Sequence, residues 1–204
     1  MKFGHATRRL SRAIAGIGVM LCSGAAEAHL LSTGMGPIYD GAMHFATSPE
    51  DLLPVLGLAL LAGLRGAAYG RRAMFTLPVA WLSGCLLGLT AAVTTGNAFM
   101  SSFWLLLVGG LVAADAKLSL RATTALAVLV GLFHGYLNGT GMGLSGAAII
   151  VVLGLVSATF VLITLAAAFV VWLRTQWARI AVRVVGSWIA ASGLLMLGWT
   201  LRAG

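Results

Sequence analysis

The sequence predicts an all-α fold: a polytopic membrane helix bundle with six transmembrane helices after a cleaved signal peptide. Three observations lead to this prediction. Of the 204 residues, 60% are hydrophobic and only 9% are charged, which is too little charge for a soluble domain. The apolar residues come in runs of about 20, the length that crosses a bilayer. The basic residues lie singly or in pairs between these runs, as topology signals do.

Residues 1–28 have the features of a secretory signal peptide, which we expect to be removed. Basic side chains precede a short apolar run at 13–23, and the tripeptide 26–28 has the A-x-A form of a cleavage site. Cleavage would make His29 the first residue, and its α-amine and imidazole could then chelate a divalent transition metal. The alternative is that His29 is only the start of a frayed end.

Residues 29–47 are predicted to form a periplasmic N-terminal segment that contains a short helix. Pro37 follows a glycine and suits the first position of a helix. In that helix Asp40 and His44 lie one turn apart on the same face. A carboxylate and an imidazole so placed can bind a metal jointly, although the same pair also occurs as ordinary surface decoration of helices.

Residues 48–204 are predicted to form the six-helix transmembrane domain. Ser48 and Pro49 mark the start of its first helix. Glu50 and Asp51 follow, and we expect them to act as cap residues outside the membrane, at the positive end of the helix dipole. The apolar runs place the spans at 52–68, 75–95, 98–114, 122–140, 145–173 and 184–201.

The distribution of basic residues predicts the orientation of the chain. With both mature termini in the periplasm, eight basic residues fall on the cytoplasmic side and only Arg202 falls outside, as the positive-inside rule requires. We therefore expect a multi-pass protein of the bacterial inner membrane. The net charge of +8 reflects these topology signals, so the partner is the lipid bilayer and no nucleic acid is expected. The eight residues are Arg65, Arg71, Arg72, Lys117, Arg121, Arg174, Arg179 and Arg183.

The fourth span contains the most informative stretch, residues 131–143. Glycine recurs there every fourth residue, which leaves a strip where another helix can approach backbone to backbone. His134 and Asn138 lie one turn apart beside this strip. Ionisable groups inside a membrane tend to mark ion routes, although a histidine can also simply bridge two helices. We expect the chain to unwind or turn sharply at 139–143.

These polar residues predict a metal site near the outer face of the bundle. Nitrogen and oxygen donors without cysteine suit Ni²⁺, Co²⁺, Zn²⁺ or Cu²⁺. No tightly bound cofactor is expected, because the metal ion would be the transported substrate. The predicted ligands are His29, Asp40, His44, His134 and Asn138.

Short motifs in the chain resemble the HupE/UreJ family. They are His29 directly after the signal peptide, an Asp-and-His element before the first span, and Phe133-His134-Gly135 with Gly139 four residues on. Members of that family are small six-span membrane proteins that are associated with hydrogenase and urease gene clusters and are regarded as nickel or cobalt permeases. The resemblance covers the mature chain in length and span count.

The chain departs from the family pattern at two places. The family has an Asp directly followed by a His, whereas here Asp40 and His44 are a helical turn apart. The second motif reads F-H-G-x-A-x-G-x-E; Leu137 replaces its alanine and Gly141 stands where its glutamate would be. Either another acid replaces that carboxylate, or this branch handles a different ion or none. The acids that could replace it are Asp40, Glu50 and Asp51.

The sequence therefore predicts an inner-membrane permease for a divalent transition metal, with nickel or cobalt first and copper or zinc as alternatives. A second interpretation is a non-transporting accessory protein that works with maturation proteins of hydrogenase- or urease-type metalloenzymes. A membrane enzyme is a third, but the chain offers no convincing general base apart from the outer acids, so we expect no enzyme. The oligomeric state, including a homo-oligomer, stays open.

Overall fold

A computed structural model describes residues 33–91, 98–143, 146–173 and 175–203. The predicted signal peptide and His29 lie outside these residues. The described chain is helical, and its helices are α1 (Pro37–Thr47), α2 (Pro49–Arg65), α3 (Ala67–Leu89), α4 (Ala98–Ala113), α5 (Leu120–Met142), α6 (Ala148–Trp172) and α7 (Gln176–Ala203).

Four of these helices, α3, α5, α6 and α7, are long and apolar enough to cross a membrane. Helices α1 and α2 pass the same test together, but they are bent by 75° at the break between them, so the pair is a fifth candidate. Helix α4 is apolar but has only 16 residues, fewer than a full span requires. The described residues thus confirm a helical fold with four candidate spans, or five with the bent pair, while the count of six spans stays a prediction.

The short helix predicted before the first span is present, with Pro37 at its start. Helix α2 ends at Arg65, three residues earlier than predicted, because Gly66 adopts a φ of 113° that ends the helix. Helix α7 begins at Gln176, eight residues earlier than predicted. Arg179, which was assigned to a loop, therefore lies on a helix.

Helices α3 and α5 pack backbone to backbone, as the glycine strip predicted. A Cβ atom at Gly135 would overlap the carbonyl oxygen of Trp81, and one at Gly139 would overlap that of Cys85. This close packing keeps α5 regular up to Met142, so the unwinding expected at 139–143 is wrong. Only Gly143, with a φ of 61°, ends the helix.

A second glycine contact joins α1 to α6. A Cβ atom at Gly41 would overlap the carbonyl oxygen of Val151, and one at Gly154 would overlap that of Ile38. The reciprocal contact presses the short helix against α6 with almost no space between the two backbones. It fixes the position of α1, which carries His44.

Candidate metal site

His134 lies at the centre of the candidate site, on α5. Its side chain is almost completely buried, with 1% of its surface exposed. The imidazole stacks on the indole of Trp81, with 5.6 Å between ring centroids, and meets the ring of Phe133 edge to face at 5.2 Å. The aromatic rings restrict the orientation of the imidazole, while its polar atoms need partners in an otherwise apolar region.

Asp51, in the first turn of α2, supplies one of those partners. Its Oδ1 lies 3.1 Å from Nδ1 of His134, and the carboxylate is 4% exposed. The expectation that the Asp51 side chain acts only as a helix cap is therefore wrong, because it bonds to another helix. Ser48, the residue expected to cap α2, makes no capping hydrogen bond through its side chain.

Asn138 connects this pair to α1. Its Nδ2 donates to Oδ2 of Asp51 at 3.0 Å and to the backbone carbonyl of His134 at 2.9 Å. Its Oδ1 lies 3.0 Å from Nε2 of His44. Since Nδ2 is the donor, Oδ1 accepts, so His44 donates from Nε2. Three helices thus contribute to one buried network, here named the histidine cluster: His44, Asp51, His134 and Asn138.

The protonation pattern of this network leaves one atom of His134 free to bind. A carboxylate accepts hydrogen bonds, so Nδ1 of His134 carries the proton that Asp51 receives. In the neutral ring, Nε2 then has a lone pair. Nε2 is buried and has no hydrogen-bond partner within the part of the chain that the structure describes. An imidazole held at Nδ1 by a carboxylate is the arrangement found in metal-binding histidines.

The other predicted ligands are placed differently. Asp40 does not join the histidine cluster, because its Oδ1 accepts hydrogen bonds from the backbone N and the Oγ1 of Thr33, at 2.6 and 2.7 Å. Glu50 is exposed but lies near enough to Asp51, His134 and His44 to interact with their charges. Among residues 33–203 that are described, no group of three or more His, Cys, Asp or Glu side chains is arranged to hold a metal ion.

Asp51 is the functional candidate that the sequence reasoning placed wrongly. Its position after Ser48 and Pro49 fits a capping role at a helix start, and this local pattern was given more weight than its possible role as a carboxylate in the site. The chemical signal was the missing glutamate of the family motif at Gly141. That loss called for a carboxylate from elsewhere, and Asp51 was one of three acids named for it.

A second polar cluster lies at the opposite end of α2. Asp115 forms ion pairs with Arg65 and with Arg179, the second at 3.3 Å, and Arg179 also donates to the carbonyl of Leu64 at 3.4 Å. Asp115 thereby joins α2 and α7. We call Arg65, Asp115 and Arg179 the arginine cluster, and the end of the bundle that holds it the arginine end.

Comparison with known proteins gives one match. The family model described as "HupE / UreJ protein" matches residues 17–196, which is most of the chain. Neither the curated proteins nor the solved structures compared with the chain give a match.

Proposed function

The chain belongs to the HupE/UreJ family, which is associated with nickel or cobalt transport or with metalloenzyme maturation, and we propose that it is a permease for a divalent transition-metal ion. Nickel and cobalt are the first candidates. The observation that carries this proposal is the buried Nε2 of His134, which has no hydrogen-bond partner in the described chain. A polar atom buried without a partner costs free energy, and a bound metal ion would remove that cost.

The role of Asp51 follows from its contact with His134. A carboxylate bonded to Nδ1 fixes the ring orientation, keeps the proton away from Nε2 and raises the basicity of the metal-binding nitrogen. Asp51 therefore acts as a positioning residue, and His134 is the ligand. In this way Asp51 contributes the carboxylate that the family motif provides by a glutamate, but from α2 instead of from the histidine helix.

The remaining donors come from the N-terminal segment and from Asn138. His44 and Oδ1 of Asn138 already contact each other beside Asp51, and breaking that single hydrogen bond would free two donors for an ion. His29, with its free amine if the signal peptide is cleaved, and Asp40 would capture the ion first. A mixed set of nitrogen and neutral oxygen donors suits Ni²⁺ or Co²⁺ and holds the ion weakly enough to release it.

The driving force proposed for transport is electrical. The sequence contains no nucleotide-binding loop, so uptake depends on the membrane potential or on a partner protein. A potential of about 100 mV supplies roughly 4.6 kcal/mol for a doubly charged ion. That is enough to concentrate the ion without any chemical coupling, provided that the binding site can open toward each side in turn.

Uptake of nickel into proteoliposomes tests the proposal. The purified chain alone should accumulate Ni²⁺ under an inside-negative potential, and His134→Gln should lower the initial rate about tenfold or more. Glutamine keeps the polarity and approximate size of the side chain, so the cluster can fold around it, but it lacks the imidazole nitrogen.

Thr123→Val serves as the matched control, because it alters a buried polar residue on the same helix but close to the arginine end. Its uptake should equal that of the wild type. If the wild-type chain alone moves no Ni²⁺, potential-driven transport by this chain is refuted, and the accessory role in metalloenzyme maturation becomes the favoured interpretation. If His134→Gln transports at the wild-type rate, His134 is not a ligand.

A further inference from the structure

The arginine end contains a basic cleft that the proposed transport does not use. One cavity of about 620 Å³ lies between the starts of α3 and α5 and is lined by Arg72 and Arg121 together with the hydroxyl-bearing Ser119 and Thr124. An adjoining cavity of about 370 Å³ is lined by Arg71 and again by Arg72. The two cavities adjoin, because they share the lining residues Arg72 and Leu120, and we treat them together as one basic cleft lined by three arginines.

No carboxylate in the described chain neutralises this cleft. The sequence has five acidic residues, and one of them, Glu27, lies outside the described residues. Of the other four, Asp40, Glu50 and Asp51 belong to α1 and to the first turn of α2, away from the arginine end. Asp115 is taken up by Arg65 and Arg179.

The helices themselves add to the positive potential. Helices α3 and α5 both begin at this cleft, and neither has an acidic residue in its first turn. The partial positive charge at each helix start therefore adds to the positive charge of the arginines, and no acidic side chain in the first turn offsets it. An anion bound in the cleft would relieve this repulsion, and guanidinium groups match the geometry of a phosphate.

An apolar groove lies between α3 and α6 and shares Arg71 with the cleft. It has a volume of about 370 Å³, and its lining includes Met74, Ala168 and Trp172. The buried hydroxyl of Thr164, which also lines it, has no hydrogen-bond partner among the described residues. Charged cleft and apolar groove meet at one residue, so a ligand that fills both must be an anionic amphiphile.

We propose that this composite site binds one anionic phospholipid. The phosphate lies among Arg71, Arg72 and Arg121, and one acyl chain occupies the groove between α3 and α6. The site is independent of the metal proposal, because none of its residues contacts the histidine cluster. It ties the starts of α3 and α5 to the lipid leaflet at the arginine end.

Native mass spectrometry of the full chain in detergent, with added phosphatidylglycerol or phosphatidylcholine, tests the site. We expect one retained phosphatidylglycerol and a clear preference for it over phosphatidylcholine. In the double variant R72Q/R121Q, the ratio of retained phosphatidylglycerol to phosphatidylcholine should fall roughly fivefold for each arginine removed. The control K117Q/R202Q loses the same charge at positions that do not line the cleft, and its preference should match that of the wild type.

Two further measurements separate a lipid from a free phosphate. Ala168→Trp fills the groove but keeps all three arginines, and it should weaken retention of phosphatidylglycerol. Millimolar inorganic phosphate should not displace the lipid from the wild type. Displacement by inorganic phosphate, equal losses in both double variants, or an unchanged preference in R72Q/R121Q would each overturn the proposal.

Discussion

Helix α2 carries a buried or half-buried polar residue at each end, and the two ends are built differently. Asp51 and Arg65 are 14 residues apart on this helix, which corresponds to about 21 Å. At the first end, Asp51 meets an imidazole and a carboxamide. At the second, Arg65 and Arg179 share one carboxylate, that of Asp115. Both clusters join several helices: the first pairs a carboxylate with an imidazole and an amide, and the second pairs it with two guanidinium groups.

The difference separates a structural role from a binding role. In the arginine cluster, opposite charges pair with each other, and removing one member leaves a charge without its counterion. In the histidine cluster, the hydrogen bonds orient the groups but leave the Nε2 of His134 without a partner. Nε of Arg65 is also buried without a partner among the described residues, but a guanidinium N–H can only donate, whereas a deprotonated imidazole nitrogen can bind a cation. We therefore assign stability chiefly to the arginine end and ion binding to the histidine cluster.

Asp115→Ala breaks the arginine cluster and should have the largest effect on stability. Arg65 would keep its charge at 11% side-chain exposure with no counterion, so we expect a loss of about 3 kcal/mol in the free energy of unfolding. Thermal unfolding in detergent micelles measures this loss. Lys117→Ala, two residues away and exposed, should stay within about 0.5 kcal/mol of the wild type. Equal unfolding curves for both variants would show that the arginine cluster does not support the fold.

Asp51→Asn weakens the histidine cluster at the atom that orients His134. The variant keeps the shape of the side chain but removes the charge, so Ni²⁺ affinity should fall about tenfold, which corresponds to about 1.4 kcal/mol. Isothermal titration of the purified protein with Ni²⁺ measures the affinity. Stability should fall less than in Asp115→Ala. An affinity unchanged from the wild type would mean that Asp51 does not position the ligand.

Gly141→Glu sharpens the comparison by restoring the glutamate of the family motif. A Cβ atom at this exposed position meets nothing within 4 Å, so the free energy of unfolding should change by less than about 0.5 kcal/mol. Because Asp51 already supplies a carboxylate, we expect Ni²⁺ affinity to rise by less than the tenfold that Asp51→Asn removes. A larger rise in the same titration would identify residue 141, and not Asp51, as the main position for the acid.

The fold was largely predictable from composition and periodicity. The apolar runs predicted the helices, and the glycine strip predicted that another helix packs closely against α5, because both depend on local spacing. Predictions of where a helix would unwind or end were less reliable, because they left out contacts with other helices. Gly139 was expected to loosen α5, yet contact with Cys85 on another helix turns the same residue into a packing surface.

The site was predictable only in part, for a related reason. His134 and Asn138 share a helix face, so their proximity follows from the sequence. The contact between His44 and Asn138 spans 94 positions, and the contact between Asp51 and His134 spans 83. Neither separation leaves a periodic signal, because it depends on how α1 and α2 fold back over α5.

The glycine contact between α1 and α6 determines which helix His44 would move with in any rearrangement of the bundle. Gly41 and Gly154 fasten the short helix to α6, while the 75° break after Thr47 separates it from α2. His44 would therefore move together with α6, whereas Asp51 would move with α2 and His134 with α5. Tilting α6 alone would pull one imidazole away from Asn138 and leave the other in place, so the cluster can come apart one hydrogen bond at a time.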